Sequence, residues 1–600
     1  MDLILAASGA DKSRLDAVAP MVRARGGSWV ELSKESDPVR IGVSAAAGSS
    51  TTRWARCGEV IIAVHGSAAA DPRAMFTDWR RDPATALDGA TDAVALVADL
   101  GSGVMWSLTG AGNHRLYSHT RTGHVVGTHL ATVAAALGED LQVDRSYEDF
   151  LLGFGFLPDG RTPYRDVTAL SPSTAMSTGE DHVDLRSSVR ALPDVAGLDE
   201  SSIRVLLHDT FMEVLDEQTR GATSHAVLLG GLDSALVVVG LRRLGHDVHT
   251  YTFSFDDVRY DQRHAARIAA DLGAQHTLVP FDSELIGDLL SRMDQLLSSP
   301  SSQPHYQLHT IHAASVIAAD GHERIFTGDG CDAVFLGYPT VSQRARVVGR
   351  MGSIPRPMRR SISAALGLRG VERRLGHVAR LGRSSLEAQD LGPPARGHLP
   401  TRYIDDVLLN RLRVERPPQA ESIAAIRRRL ASGLEHLDPT RLAFHGGGLT
   451  GQSRAKVEGA VATSGLPQHS PFTHPRLKGL VGSLPVEMLR SSTGSADDPG
   501  KAILIEMVRE QGLLPDYIIN MPKQSPSDSP IDEWYAGPLR PIVDDLLRGL
   551  PFDPPKAVID EIVRPKWAEE QFRQRISLSH HAFQVIGLLS SYGAFARHAP

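Results

Sequence analysis

The run His225-Ala-Val-Leu-Leu-Gly-Gly-Leu-Asp-Ser234 passes from an apolar strand into a helix through a pair of glycines. Ala226–Leu229 has the length and composition of a buried strand, and Ala235–Leu244 has helical apolar spacing. Between them lies Gly230-Gly231-Leu232-Asp233-Ser234. Glycines let backbone N–H groups approach a ligand closely, and a new helix N-terminus favours an anion, so phosphate is the expected guest. The spacing is neither G-x-x-x-x-G-K-[ST] nor G-x-G-x-x-G, so it is not a Walker loop and does not indicate hydride chemistry.

Outward from this turn, strand and helix alternate. Val248–Phe255 reads as strand, Gln262–Leu272 as helix, His309–Ala319 as helix and Arg324–Thr327 as strand. This predicts a doubly wound parallel sheet with ligands beyond the carboxyl ends of its strands. Residues 1 to about 190 read instead as short strands and turns, for example Glu59–Val64 and Asp92–Val97. Beyond about 400 the chain is mostly helical, with Pro/Gly/Ser breaks at Ser491–Gly500 and Gln524–Pro530. A chain of 600 residues exceeds one ordinary core, and two domains, 1–195 and 200–600, are expected.

A second turn follows the strand Arg324–Thr327, namely Gly328-Asp-Gly-Cys-Asp332, leading to Gly337-Tyr338. Magnesium takes a few carboxylates together with phosphate oxygens and water, so Asp233 and Asp332, from two strand-end turns, form a candidate Mg²⁺ site on the phosphates. Either turn alone is explained by the ordinary preference of Gly and Asp for turns. Two such turns, each after an apolar strand, favour function.

Composition narrows the classes. The chain is 42% hydrophobic and 22% charged, with net charge −7, which gives no general drive toward nucleic acid. No apolar run reaches the roughly 18–20 residues of a membrane helix, and no secretory signal is read, so a cytoplasmic protein without membrane attachment is expected. Two cysteines, Cys57 and Cys331, cannot build a disulfide framework or a Cys-rich zinc site.

Taken in order, Gly-Gly-Leu-Asp-Ser234, Tyr251–Phe255, Asp261, His276, Gly328–Asp332 and Gly337-Tyr338 resemble the asparagine synthetase (class B) superfamily. The first turn is similar to the Ser-Gly-Gly-x-Asp-Ser pyrophosphate loop of ATP pyrophosphatases. Ser470-Pro-Phe472, Leu484-Pro485, Lys501, Leu514-Pro515 and Met521-Pro-Lys523 continue the resemblance. Asp159–Tyr164 and Leu170–Pro172 resemble the end of the family's glutaminase-type domain. The resemblance implies an α/β protein. A degenerate Ntn glutaminase-like α+β domain would precede a doubly wound ATP-pyrophosphatase (synthetase) domain with a helical C-terminal part. It implies ATP with Mg²⁺ as cofactors, and a nucleotide site at Leu228, Leu229, Gly230, Gly231, Asp233, Ser234, Phe255, Thr327 and Gly328.

Departures from the family pattern redirect the chemistry. A glutaminase domain of this type needs a cysteine directly after the initiator Met, and this chain has Asp2. That favours branches in which the substrate carries its own amine: lasso-peptide macrolactam cyclases and β-lactam or carbapenam synthetases. β-Lactam members usually show Gly-Tyr-Gly-Ser-Asp where this chain has Asp329, and its length is closer to a lasso cyclase. The implied reaction adenylates an Asp or Glu side chain of a leader-free core peptide, whose N-terminal amine then closes the ring. The resemblance gives Lys523 the role of stabilising the oxyanion and offers Lys501 as an aid to pyrophosphate. Asp329 is either the base that deprotonates the amine or a shaper of its turn. The implied partners are the precursor peptide, a leader-binding protein and a leader peptidase.

Leu229 stands where the family usually has Ser, and Ala333 where it has Glu. Losing one neutral hydrogen bond to phosphate weakens ATP use by about 0.5–1.5 kcal/mol. A non-catalytic scaffold is thereby left open, against the persistence of Asp233, Asp332 and Lys523. Arg344–Arg383 holds eleven Arg and one acidic residue, Glu372, and reads either as a dock for a peptide or as a solvated helical insertion. His305, His309 and His312, at helical spacing, read as a polar face lining a pocket in preference to a metal site.

Overall fold

The computed structural model describes the chain outside 1–2, 10–11, 25–27, 46–51, 67–70, 84–85, 88–92, 111–113, 120–122, 159, 179–182, 188–194, 196, 256–261, 339–347, 349, 369–370, 372–376, 399–403, 405, 413–416, 419, 439, 443, 445–456, 458, 461–462, 491–499, 522–529, 564–580 and 598–600. Among the described residues, a parallel sheet carries β1 (His225–Leu228), β2 (Val248–Phe255), β3 (Gln275–Phe281), β4 (Arg324–Phe326) and β5 (Gln468–His469). Their spatial order is β3-β2-β1-β4-β5. His225 pairs with both Val248 and Arg324, so β1 is central.

Alternation along these strands shows why both faces are covered. Ala226 and Ile325 join the core containing Leu308 and Ile311, whereas Val227 and Phe326 join that of Leu236 and Leu241. Successive strand residues point to opposite faces, and each face meets a different helix. The helices are α1 (Leu232–Arg243) and α2 (Pro304–Ala319). Here α2 starts five residues before the expected His309, because Pro304 sits at its first turn, where a missing N–H costs nothing. The chain runs outward from β1 to β3 and then returns to place β4 on the other side of β1. That reversal is a topological switch point, and the turns after β1 and β4 lie at its carboxyl edge.

The N-terminal region is α+β, with antiparallel sheets. One orders Val167–Ala169, Tyr117–His119, Gly123–Gly127, Leu3–Gly9, Val39–Ala45 and Ser28–Glu31; the other orders Val183–Ser187, Thr174–Thr178, Val104–Thr109, Ala93–Asp99, Val60–Gly66 and Thr52–Cys57. Ile4 and Ala6 meet Ile61 and Ala63 between the sheets. Leu5 and Ala7 face the helices of Val18 and Val133, and Ile62 and Val64 face Met75. Helices therefore cover both outer faces of the paired sheets. Asp2 lies outside the described residues.

The last helix, His581–Ala596, ties the two regions together. Tyr592 Oη donates to Glu148 Oε2 at 3.0 Å, and Arg145 pairs with the same buried carboxylate at 2.8 Å. A hydrogen bond to a charged group contributes about 1.5–3 kcal/mol. Tyr592→Phe is therefore expected to lower unfolding free energy by about that amount. Equilibrium denaturation checks this, and an unchanged midpoint refutes the tie.

Acid should weaken the fold at three other places. Burial, then His114, His129 and Arg53, push His65 down to about 3, and burial, then His246 and Arg324, push His225 down to about 4. Burial, then His305 and His312, hold His309 well below the ordinary value. All three are depressed, so the unfolded chain binds more protons once the pH drops below about 6.5, and stability is lost from there downward. The denaturant midpoint is expected to fall steadily between about pH 6.5 and 4; a flat profile contradicts this.

Candidate active site

Strand β1 delivers Leu229 to a buried place: its N–H donates to Tyr251 O at 2.8 Å, and Thr252 Oγ1 donates to its carbonyl at 2.6 Å. The Leu229 side chain is 3% exposed and packs among Val227, Leu236 and Phe326. The residue that replaces serine thus belongs to the core. Helix α1 begins at Leu232, three residues before the expected start, which brings Asp233 and Ser234 into its first turn.

Ser234 Oγ accepts from Gly230 N at 2.9 Å and Gly231 N at 3.2 Å, and donates to Gly231 O at 3.1 Å. The two N–H groups expected to face phosphate are therefore bound to a hydroxyl within the loop. Phosphate must displace that hydroxyl to use them.

The turn after β4 is pressed against this loop. A Cβ on Gly328 would stand 2.7 Å from Asp233 Cβ and 2.8 Å from Ser234 N, so only glycine allows the approach. Thr327 Oγ1 donates to Asp329 Oδ2 at 3.0 Å and accepts from Asp329 N at 3.3 Å, while Ser470 Oγ donates to Asp329 O at 2.6 Å. These bonds brace Asp329 within its own turn. Gly330, in the left-handed region at φ 86°, leaves no room for a Cβ, which would lie 2.7 Å from Thr473 Cγ2.

Asp233 and Asp332 converge on one point, and Lys501 holds it. Lys501 Nζ lies 2.6 Å from Asp233 Oδ1 and 2.8 Å from Asp332 Oδ1. Burial alone lowers the ammonium's pKa; the carboxylates of Asp233 and Asp332 more than reverse this and hold it well above the ordinary lysine value. Burial also raises the Cys331 thiol, which hydrogen-bonds Asp233, so the thiol is neutral and the carboxylates carry the attraction. Burial, then Asp332, Tyr306 and Asp329, keep the Tyr338 phenol protonated beside them, stacked on Phe444 at 6.1 Å.

Two carboxylates at a phosphate loop fit a hard divalent cation that completes its shell with phosphate oxygens. Among the described residues no group of three His, Cys, Asp or Glu is arranged to hold a metal, so phosphate would have to supply the remaining donors.

Other sequence candidates fall differently. Leu228 ends β1 and is partly exposed. Phe255 ends β2 but is 5% exposed, against His309 at 5.2 Å and Trp534 at 6.2 Å. His276 hydrogen-bonds Thr250 near the amino ends of the strands, away from the switch point. His305 and His309 are buried, each 1% exposed, with His309 4.4 Å from Phe281 and His305 5.0 Å from Phe583, while His312 is partly exposed at 5.1 Å from Phe281. The helix carrying them is buried on most sides, a placement helical spacing alone does not reveal. Met521 lies near Gly231, its Cε 3.8 Å from where a Cβ would stand, while Lys523 and Asp261 lie outside the described residues.

Within Arg344–Arg383, Arg359 pairs with Asp390 at 2.8 Å and Arg383 caps Leu366 O at 2.6 Å, so these two serve the local fold. The helix Arg356–Leu366 buries no residue, and Met358, Ile362 and nearby Leu368 are exposed beside Arg356 and Arg360. Among the described residues no helix is long and apolar enough to cross a membrane.

Sequence reasoning missed Cys331 as a partner of Asp233, and Gly337 as the space for Lys501, where a Cβ would stand 2.3 Å from Lys501 Cε. Their presence inside the second turn and directly after it was the only available signal.

A family model described as asparagine synthase matches residues 206–589. Among solved structures, the NMN synthetase from Francisella tularensis is similar at 15% identity and TM-score 0.18, over 24% of this chain and 59% of that one. No curated protein matches.

Proposed function

The chain belongs to the asparagine synthase family, and on that premise we propose that it activates a peptide side-chain carboxylate with ATP and closes a macrolactam with the same peptide's N-terminal amine. The convergence of Asp233, Asp332 and Lys501 at the switch point carries the ATP-dependent part of this reading. The internal amine rests on the likeness to ring-closing branches of the family, with Asp329 in the second turn as the acceptor of its proton.

In this scheme Asp233 and Asp332 would hold Mg²⁺, which would supply charge neutralisation for the departing pyrophosphate. Gly230, Gly231 and the first turn of α1 receive the phosphates once Ser234 Oγ releases its two N–H groups. Lys501 follows the leaving charge. Lys523, two residues past Met521 in the sequence, is assigned stabilisation of the oxyanion by the family resemblance. Asp329 accepts the amine proton; its bond from Thr327 equally suits a bracing role. Holding carboxylate and amine together supplies rate through proximity. The Arg-rich insertion, with its exposed Met358 and Ile362, offers a precursor peptide a cationic and apolar surface. A leader peptidase and a leader-binding protein would prepare that substrate.

The test is incubation with ATP, Mg²⁺ and a leader-free core peptide bearing an internal Asp or Glu, read by mass spectrometry and AMP release. Loss of one water from the peptide with AMP formed is expected. AMP formation with a small β-amino acid and none with peptide selects a β-lactam-type synthetase. Absence of AMP with every substrate selects a scaffold, and glutamine-dependent asparagine formation refutes the internal-amine reading.

A further inference from the structure

The two carboxylate oxygens suited to a divalent cation are the ones Lys501 Nζ already contacts, at 2.6 and 2.8 Å. The fold builds this contact deliberately. Lys501 and Leu336 both have φ of 58°, the left-handed region that L-residues rarely adopt, and Gly500 has φ of 66°. Lys501 N donates to Phe335 O at 3.0 Å, and a Cβ on Gly500 would stand 2.2 Å from Leu336 O. Gly337 leaves open the path of the lysine stem: a Cβ there would meet Lys501 Cε at 2.3 Å and Asp332 Oδ1 at 2.4 Å. Left-handed backbone on both segments therefore threads one ammonium, 9% exposed, between two carboxylates.

We propose that Lys501 is a tethered counter-ion that closes the Asp233–Asp332 pair to free divalent metal, so that metal enters only together with nucleotide phosphate. A free dication must compete with a fixed cation for the same oxygens, and like charges in a poorly hydrated site repel strongly. A nucleotide's phosphates change the balance: they offer the ammonium new anionic partners and complete the metal's shell. The exchange is electrostatic, with no bond made or broken. This inference rests on the ATP-dependent reading of the site and adds an order of binding to it.

Mn²⁺ titration of the full-length protein, followed by electron paramagnetic resonance, tests it with and without a non-hydrolysable ATP analogue. Wild type is expected to bind Mn²⁺ only with the analogue. Lys501→Met, uncharged and of similar length, is expected to bind Mn²⁺ alone, on the order of 10²-fold more tightly than wild type. Asp332→Asn placed on that variant should remove this binding, and Lys501→Gln serves in its place if the methionine variant does not fold. Tight Mn²⁺ binding by wild type without analogue overturns the inference, and this arm needs no variant. Equal weakness of wild type and Lys501→Met without analogue also overturns it. Failure of wild type to bind Mn²⁺ even with the analogue removes the ATP-dependent reading itself.

Discussion

Asp332→Asn lowers ATP–pyrophosphate exchange by about 10³-fold while the protein remains folded; this is the largest single effect expected in the chain. Asparagine keeps the shape and removes the charge. Of the two carboxylates at the switch point, one is then left to face Mg²⁺, and metal stabilisation of a leaving phosphate is worth several kcal/mol. At about 1.4 kcal/mol per tenfold, a loss near 4 kcal/mol gives the stated factor. Folding suffers less, because Lys501 keeps its 2.6 Å contact with Asp233. Asp233→Asn should act similarly, and the double variant should be little worse than either single one, because the pair works as a unit. Exchange within a few-fold of wild type for either single variant would remove both aspartates from the machinery.

Gly328→Ala is the second large effect: turnover falls about 10²-fold, with a loss of stability of about 1–3 kcal/mol. The methyl group would meet Asp233 Cβ at 2.7 Å and the Ser234 backbone nitrogen at 2.8 Å, and neither is the free end of a flexible side chain. The loops must part, and Asp233 and Asp332 with them. A displacement of about 1 Å in such a site costs on the order of 10²-fold. Activity of Gly328→Ala within a few-fold of wild type would show that the two loops need not touch.

The doubly wound sheet was legible at Ala226–Leu229, Val248–Phe255 and Arg324–Thr327, whereas its edge strand Gln275–Phe281, with polar residues at its start, was not read from the sequence. Val248–Phe255 has the same bounds in the sequence reading and in the fold. The strand Gln468–His469 was not legible: two polar residues carry no periodicity, and they become a strand only because β4 lends them a parallel partner. The burial of His305 and His309 was not legible for a related reason: spacing shows that they share a helix with His312, but which of its faces are covered depends on Phe281 and Phe583, which are distant in sequence.

By itself the sequence determined the residue types: two glycine turns at strand ends, an aspartate on each, and a lysine far downstream. Local chemistry suffices for that, since turn preference and strand patterning act over a few residues. Only the tertiary structure decided that β1 and β4 are neighbours, that Gly328 rests on Asp233, and that Lys501, 268 residues from Asp233, closes the acid pair. Charge–charge attraction in a buried site depends on separation in space, and no spacing along the chain encodes it.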